Sequence, residues 1–167
     1  MAIAKIVLYP DSILRKISSP VTVFGKALER ILKALQETME AQPSGIGIAA
    51  PQIGILKRVA VVDVSRRVRG AERLCLVNPE IIEYKSEVLS REGCMSLPEY
   101  TAYLKRHDWL RLRWQDACGH LHQKIATGIE AICIQHEIDH LNGALFFDRV
   151  VALKTDMIPR KSSVKLG

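Results

Sequence analysis

At 167 residues, 48% hydrophobic and 25% charged, the chain has the length and composition of one folded domain with a sizeable core, which excludes a disordered or fibrous class. Ten glycines and seven prolines leave no linker, and no internal repeat is visible. The formal net charge of +6 admits anionic partners such as ribosomal RNA, although the charge is dispersed and no nucleic-acid motif accompanies it.

The first predicted element is a strand-like run, Ile3 to Tyr9. With no signal-type apolar region and no membrane span in the sequence, a cytoplasmic protein is expected. Leu28, Ile31, Leu32, Leu35 and Met39 recur at helical spacing and predict a helix over about 26–41. Gly45-Ile46-Gly47-Ile48-Ala49-Ala50-Pro51-Gln52-Ile53-Gly54 lacks the Lys-Ser/Thr of a phosphate loop and reads as a glycine-rich strand entry where backbones approach closely. Strands are predicted at 59–64, 74–77 and 109–114, the last alternating as Trp109-Leu110-Arg111-Leu112-Arg113-Trp114 with a solvated basic face. Thr127-Gly128-Ile129-Glu130 fits a capping box, so a helix runs over about 128–141 with Gly143 as its stop. That helix is apolar nearly all round and should be buried. A short basic tail follows from about 153, where Pro159 argues against a long terminal helix, since an interior proline costs ~3 kcal/mol or more. The pattern is that of an α+β fold in a single domain, with antiparallel or mixed sheets around the central helix.

The helix carries His136-Glu137-Ile138-Asp139-His140, an H-E-x-x-H pattern that places two imidazoles on one face with a carboxylate beside them. Core histidines bonded to nearby carbonyls are the alternative, but two buried imidazoles beside Glu137 are harder to account for that way, because an uncompensated buried carboxylate is costly. A hydrolytic metal centre takes three protein ligands and leaves one position open. Downstream, the place of a metzincin third histidine is held by Phe146, and Asp148 and Asp156 are the remaining carboxylates, so the ligand is sought upstream. In Glu92-Gly93-Cys94-Met95-Ser96-Leu97-Pro98, a Cys94 thiolate would complete Cys-His-His. There Gly93 would let the backbone turn and Leu97-Pro98 would hold the chain extended. Taken alone, Cys94 reads more readily as a small buried hydrophobe. Four cysteines at 75, 94, 118 and 133 have no disulfide-framework spacing, and Cys75 and Cys118 read as bystanders.

Together G-I-G-I-A-A-P-Q, E-G-C-M-S-L-P and Q-H-E-I-D-H-L-N-G resemble, in order and spacing, the three signature segments of the peptide deformylase family. Val7-Leu8-Tyr9-Pro10-Asp11, Leu14-Arg15, Val77-Asn78-Pro79-Glu80 and Leu145-Phe146-Phe147-Asp148 also look like family positions. The resemblance implies a metal-dependent hydrolase that removes the formyl group from N-formylmethionine on nascent polypeptides. It implies Cys94, His136 and His140 as metal ligands, Glu137 as the proton shuttle, and the Gln52 amide and Met95 backbone N–H as donors to the oxyanion. It further implies that Ile46, Gly47, Ile129, Ile132 and Cys133 form the methionine site, with Gly47 admitting substrate backbone, and that Glu92 pairs with Arg106 to brace the cysteine loop. The implied ion is Fe2+, with Ni2+, Co2+ or Zn2+ as substitutes. One departure is Thr101, where many bacterial members carry an arginine near the substrate backbone. Two readings stand beside this one: a metallopeptidase acting on unformylated peptides, and a basic ribosome-associated module with a structural metal site. A basic surface that keeps the enzyme near ribosomes is a further expectation.

Overall fold

The computed structural model describes residues 3–160. Its centre is the short strand β2 (Val59–Val62), whose four residues are all buried. Val59 and Val61 pack with Ile48, Val77 and the apolar face of helix α1 (Lys26–Glu40), made by Leu28, Leu32, Leu35 and Met39. Ala60 and Val62 point the other way, into a cluster with Leu76, Leu110, Leu112 and with Ala131, Ile134 and Leu141 of helix α2 (Gly128–Leu141). A strand covered on both faces reads as a continuous apolar run, which is how 59–64 reads in the sequence.

Around β2 lies one six-stranded sheet, in the order 47–49, 59–62, 74–94, 97–115, 121–127, with 157–159 pairing 97–115 as well. Strands β1 (Gly47–Ala49), β3 (Leu74–Cys94), β4 (Leu97–Gln115), β5 (Leu121–Thr127) and β6 (Met157–Pro159) all pair antiparallel, and among the described residues the one parallel contact is the isolated bridge Ser19↔Lys57. The α+β expectation holds. The runs predicted at 74–77 and 109–114 are parts of strands 21 and 19 residues long, which form one extended hairpin. One edge of β4 follows β3 along its length, while the other is shared: β5 takes 109–115 and β6 takes 100–102.

Several local expectations are corrected. Ile3 to Tyr9 forms no strand; the Val7 N–H donates to the Gln52 carbonyl and the Tyr9 N–H to that of Ser96, so the segment ties two site loops together. Thr127 makes no side-chain cap, because it is the last rung of β5 opposite Trp109, and Glu130 is drawn to Lys124 at 2.7 Å. Gly128, at φ +58°, supplies the left-handed turn into α2. On β4, Leu110, Leu112 and Trp114 are buried as the alternation predicts. The opposite face is not simply basic, since Arg111 and Arg113 meet Glu83 and Glu80 of β3. The chain after 153 makes one helical turn, Leu153–Asp156, and then β6; the rest of the basic tail lies outside the described residues.

Candidate active site

The cysteine is placed by the tip of the β3–β4 hairpin. Glu92 pairs with Ala102 and Gly93 with Thr101, then the register shifts so that Cys94 faces Leu97 across a two-residue turn, Met95-Ser96. Such an irregularity re-aims the next side chain. The turn is thus at Met95-Ser96, and Gly93 lies in extended strand. Cys94 Sγ comes to 3.3 Å from His140 Nε2, and Cys94, His136 and His140 offer ligand atoms all within 4.8 Å of one another. Donors about 2.0–2.3 Å from one tetrahedral ion stand roughly 3.3–3.8 Å apart, so the set fits a borderline transition-metal ion after small adjustment.

The donors are held from behind. His136 Nδ1 meets Glu92 Oε1 at 2.9 Å, which turns the other ring nitrogen toward Cys94 and His140. Glu92 accepts from Arg106 Nε at 2.8 Å and Nη2 at 2.9 Å, and Arg106 Nη1 donates to Asp139 Oδ2 at 2.7 Å. Arg149 makes two further bonds to Asp139, each 2.7 Å. Burial alone would raise the Glu92 pKa, but hydrogen bonds from Arg106 and His136 outweigh it and hold the carboxylate at about 2. The Asp139–Arg149 clamp has no signature in the sequence; buried pairs between distant segments leave no periodic trace.

Glu137 is 3% exposed, and its Oε1 has no hydrogen-bond partner among the described residues; His140 Nδ1 is likewise without one. Burial, against the pull of His136 and His140, raises the Glu137 pKa to about 7. For the Cys94 thiol burial acts upward too, but electrostatic attraction and hydrogen bonds from His140 and His136 bring it well below its ordinary value. A methyl on Gly47 would stand 2.5 Å from Glu137 Oε2 and 2.6 Å from Cys133 Sγ, so the close approach at this glycine is that of α2 itself.

Gln52 is the third residue of a single 3-10 turn, Ala50–Ile53, after β1. Its Oε1 accepts from the Ala49 N–H at 3.0 Å, leaving Nε2 to face Ser96 Oγ at 3.1 Å and Cys94 Sγ at 3.5 Å. Ser96, the acceptor, is absent from the residues singled out in the sequence. A cleft of about 880 Å³ opens over these groups. Ile46, Gly47, Gln52, Cys94, Met95, Ile129, Ile132, Cys133, His136 and Glu137 line it, whereas His140 and Arg106 lie beneath.

An antiparallel sheet folded against an H-E-x-x-H helix, with an open cleft over a buried carboxylate, defines a metal-type hydrolase. The model of the polypeptide deformylase family matches residues 3–156. A peptide deformylase of Thermodesulfovibrio yellowstonii is 41% identical over 165 residues, covering 99% of each chain. One of Heliobacterium modesticaldum is 46% identical over 150 residues, 90% of this chain and 95% of that protein. The crystal structure of the peptide deformylase of Thermotoga maritima superposes with a TM-score of 0.84 at 35% identity, covering 91% of this chain and all of that one; that of Legionella pneumophila gives 0.85 at 38%, covering 92% and 89%. The chain belongs to the polypeptide deformylase family. It is a hydrolase that removes the formyl group from nascent peptides, and the family is metal-dependent. Among the described residues no helix is long and apolar enough to cross a membrane.

Proposed function

We propose that the whole chain acts as one catalytic unit on N-formylmethionyl peptides, with Cys94, His136 and His140 holding a divalent ion, Fe2+ in the cell and Ni2+, Co2+ or Zn2+ as substitutes. The observation that carries the assignment is the meeting of one thiol and two imidazoles beside a buried carboxylate oxygen with no partner among the described residues. When bound, the ion supplies a Lewis acid that lowers the pKa of a water and polarises the formyl oxygen.

Glu137 takes the proton of the attacking water and returns it to the leaving amine nitrogen as the formyl C–N bond breaks, releasing formate and a free amino terminus. A carboxyl poised near neutrality suits both transfers. Gln52 Nε2, oriented by the Ala49 N–H, and the Met95 backbone N–H donate to the oxyanion; one such donor is worth ~2.7–4 kcal/mol of barrier lowering. Ile46, Ile129, Ile132 and Cys133 receive the methionine side chain, an unbranched thioether that packs well on apolar and sulfur surfaces. Glu92 and Arg106 brace the cysteine strand and fix the His136 ring. The enzyme works in the cytoplasm, where its net charge of +6 favours association with ribosomes.

The test is release of formate from formyl-Met-Ala-Ser by the metal-loaded protein, beside release of methionine from Met-Ala-Ser. Turnover of the first alone supports the reading. Loss of activity on chelation, and its return on anaerobic iron or aerobic nickel, supports the ion; full activity after chelation refutes it.

A further inference from the structure

The cleft wall opposite α2 carries a cation that none of the roles above uses. β6 runs along the cysteine half of β4, pairing Met157, Ile158 and Pro159 with Ala102, Thr101 and Tyr100, and the Arg160 N–H closes the ladder on the Glu99 carbonyl at 2.8 Å. This register delivers the exposed Arg160 side chain into the cleft. Its guanidinium occupies the space a side chain at Gly93 would fill: a Cβ there would meet Arg160 Nη2 and stand 3.2 Å from Cζ. The missing side chain makes the berth, one residue from Cys94.

Arg67 and Asp108 also line the cleft, but the charges that precede Gly93 on β3 are engaged elsewhere. Arg91 donates to Thr101 Oγ1 at 3.2 Å and lies over the Tyr103 ring, and Glu92 is held by Arg106 and His136. Arg160 has no side-chain hydrogen bond or ion pair among the described residues. A fork of five N–H donors in an open cleft, against the residue that precedes Cys94, suits an oxygen acceptor on the bound chain.

We propose that Arg160 is the positioning residue for the peptide beyond its formylated methionine, donating to an oxygen of the first residues that follow, either a backbone carbonyl or an acidic side chain. The inference rests on the deformylase reading and extends it to the substrate's downstream portion. It makes β6 a part of the substrate site and the register of β6 on β4 a determinant of recognition.

The experiment compares wild type, Arg160→Ala and Arg160→Lys, all metal-loaded, on formyl-Met-amide, formyl-Met-Ala-Ser-amide and formyl-Met-Asp-Ser-amide. Arg160→Ala is expected to raise KM for the three-residue substrates about tenfold, the size of one lost charge-assisted bond, with kcat within about twofold and formyl-Met-amide unchanged. Arg160→Lys should recover part of the loss. A loss common to both long substrates identifies a backbone carbonyl, and one confined to the Asp peptide identifies its carboxylate. Equal loss on all three substrates would mean a structural role through the cysteine hairpin and would overturn the proposal, as would no change in any. Binding of the product Met-Ala-Ser-amide, measured by calorimetry on the same proteins, reads the contact without turnover. An inactive wild type would thus sink the deformylase reading alone, while weakened product binding in Arg160→Ala would still support this one.

Discussion

Around the three convergent donors, Glu137 Oε1 and His140 Nδ1 are buried with no partner among the described residues, whereas each oxygen of nearby Glu92 and Asp139 is bonded to Arg106, Arg149 or His136. Both regions bury charge. The first leaves valences open where a reaction needs them, and the second closes every one, which keeps buried charge from being ruinous. Reactivity and rigidity are therefore supplied by neighbouring residues of one motif: Glu137 and Asp139 are two positions apart.

The contrast can be broken from the reactive side first. Cys94→Ser replaces a thiolate by a poor neutral ligand, so bound metal and formate release should fall together to near background, while Cys75→Ser and Cys118→Ser leave both intact; elemental analysis and a formate assay check it. Glu137→Gln should keep its metal and lose ~10²–10⁴-fold in kcat, since it removes a proton carrier and no ligand. Near-normal turnover by that metal-loaded variant would take the shuttle role from Glu137.

On the closed side, Arg106→Ala leaves buried Glu92 with His136 alone and Asp139 with Arg149 alone, and should destabilise the protein by about 3 kcal/mol in urea unfolding, with reduced metal affinity as the Glu92 that braces His136 loses its own support. Glu92 sharpens the comparison through pH. Its folded pKa lies near 2, below the ordinary 4.5, so its stabilisation is fully present above about pH 4.5 and lost as pH falls through about 2. Glu92→Gln should flatten that part of the acid-unfolding curve. The smallest effect belongs to the surface: Arg113→Ala, which breaks an exposed pair with Glu80, should change stability by ~0–1 kcal/mol.

The three site segments are legible in the sequence because each combines chemistry-bearing residues with local constraints: an i, i+4 histidine pair, a cysteine between a glycine and a Leu-Pro pair, a glutamine after a glycine run. The α2 boundaries were legible too, although their cause was misread, since Gly128 turns the chain where Thr127 was expected to cap it. What periodicity could not show was length: β3 and β4 are solvated along much of their hairpin, and mixed polar stretches such as Glu83–Glu87 carry no apolar run. Asp139, Arg149, Ser96 and Arg160 were missed for one reason. Their roles depend on partners 10 to 61 residues away, and Arg160 in addition sits beyond every motif.

Distance along the chain has one more consequence. Cys94 meets His140 across 46 residues and Gln52 meets Cys94 across 42, so no N-terminal fragment ending before α2 contains a complete set of donors. During synthesis, the cysteine and glutamine emerge first and must wait for the histidines. On the proposed ligand set, metal capture is thereby a closing event of biogenesis, and an ion retained at this centre would report that the hairpin, the glycine-rich turn and the helix have all reached their final places.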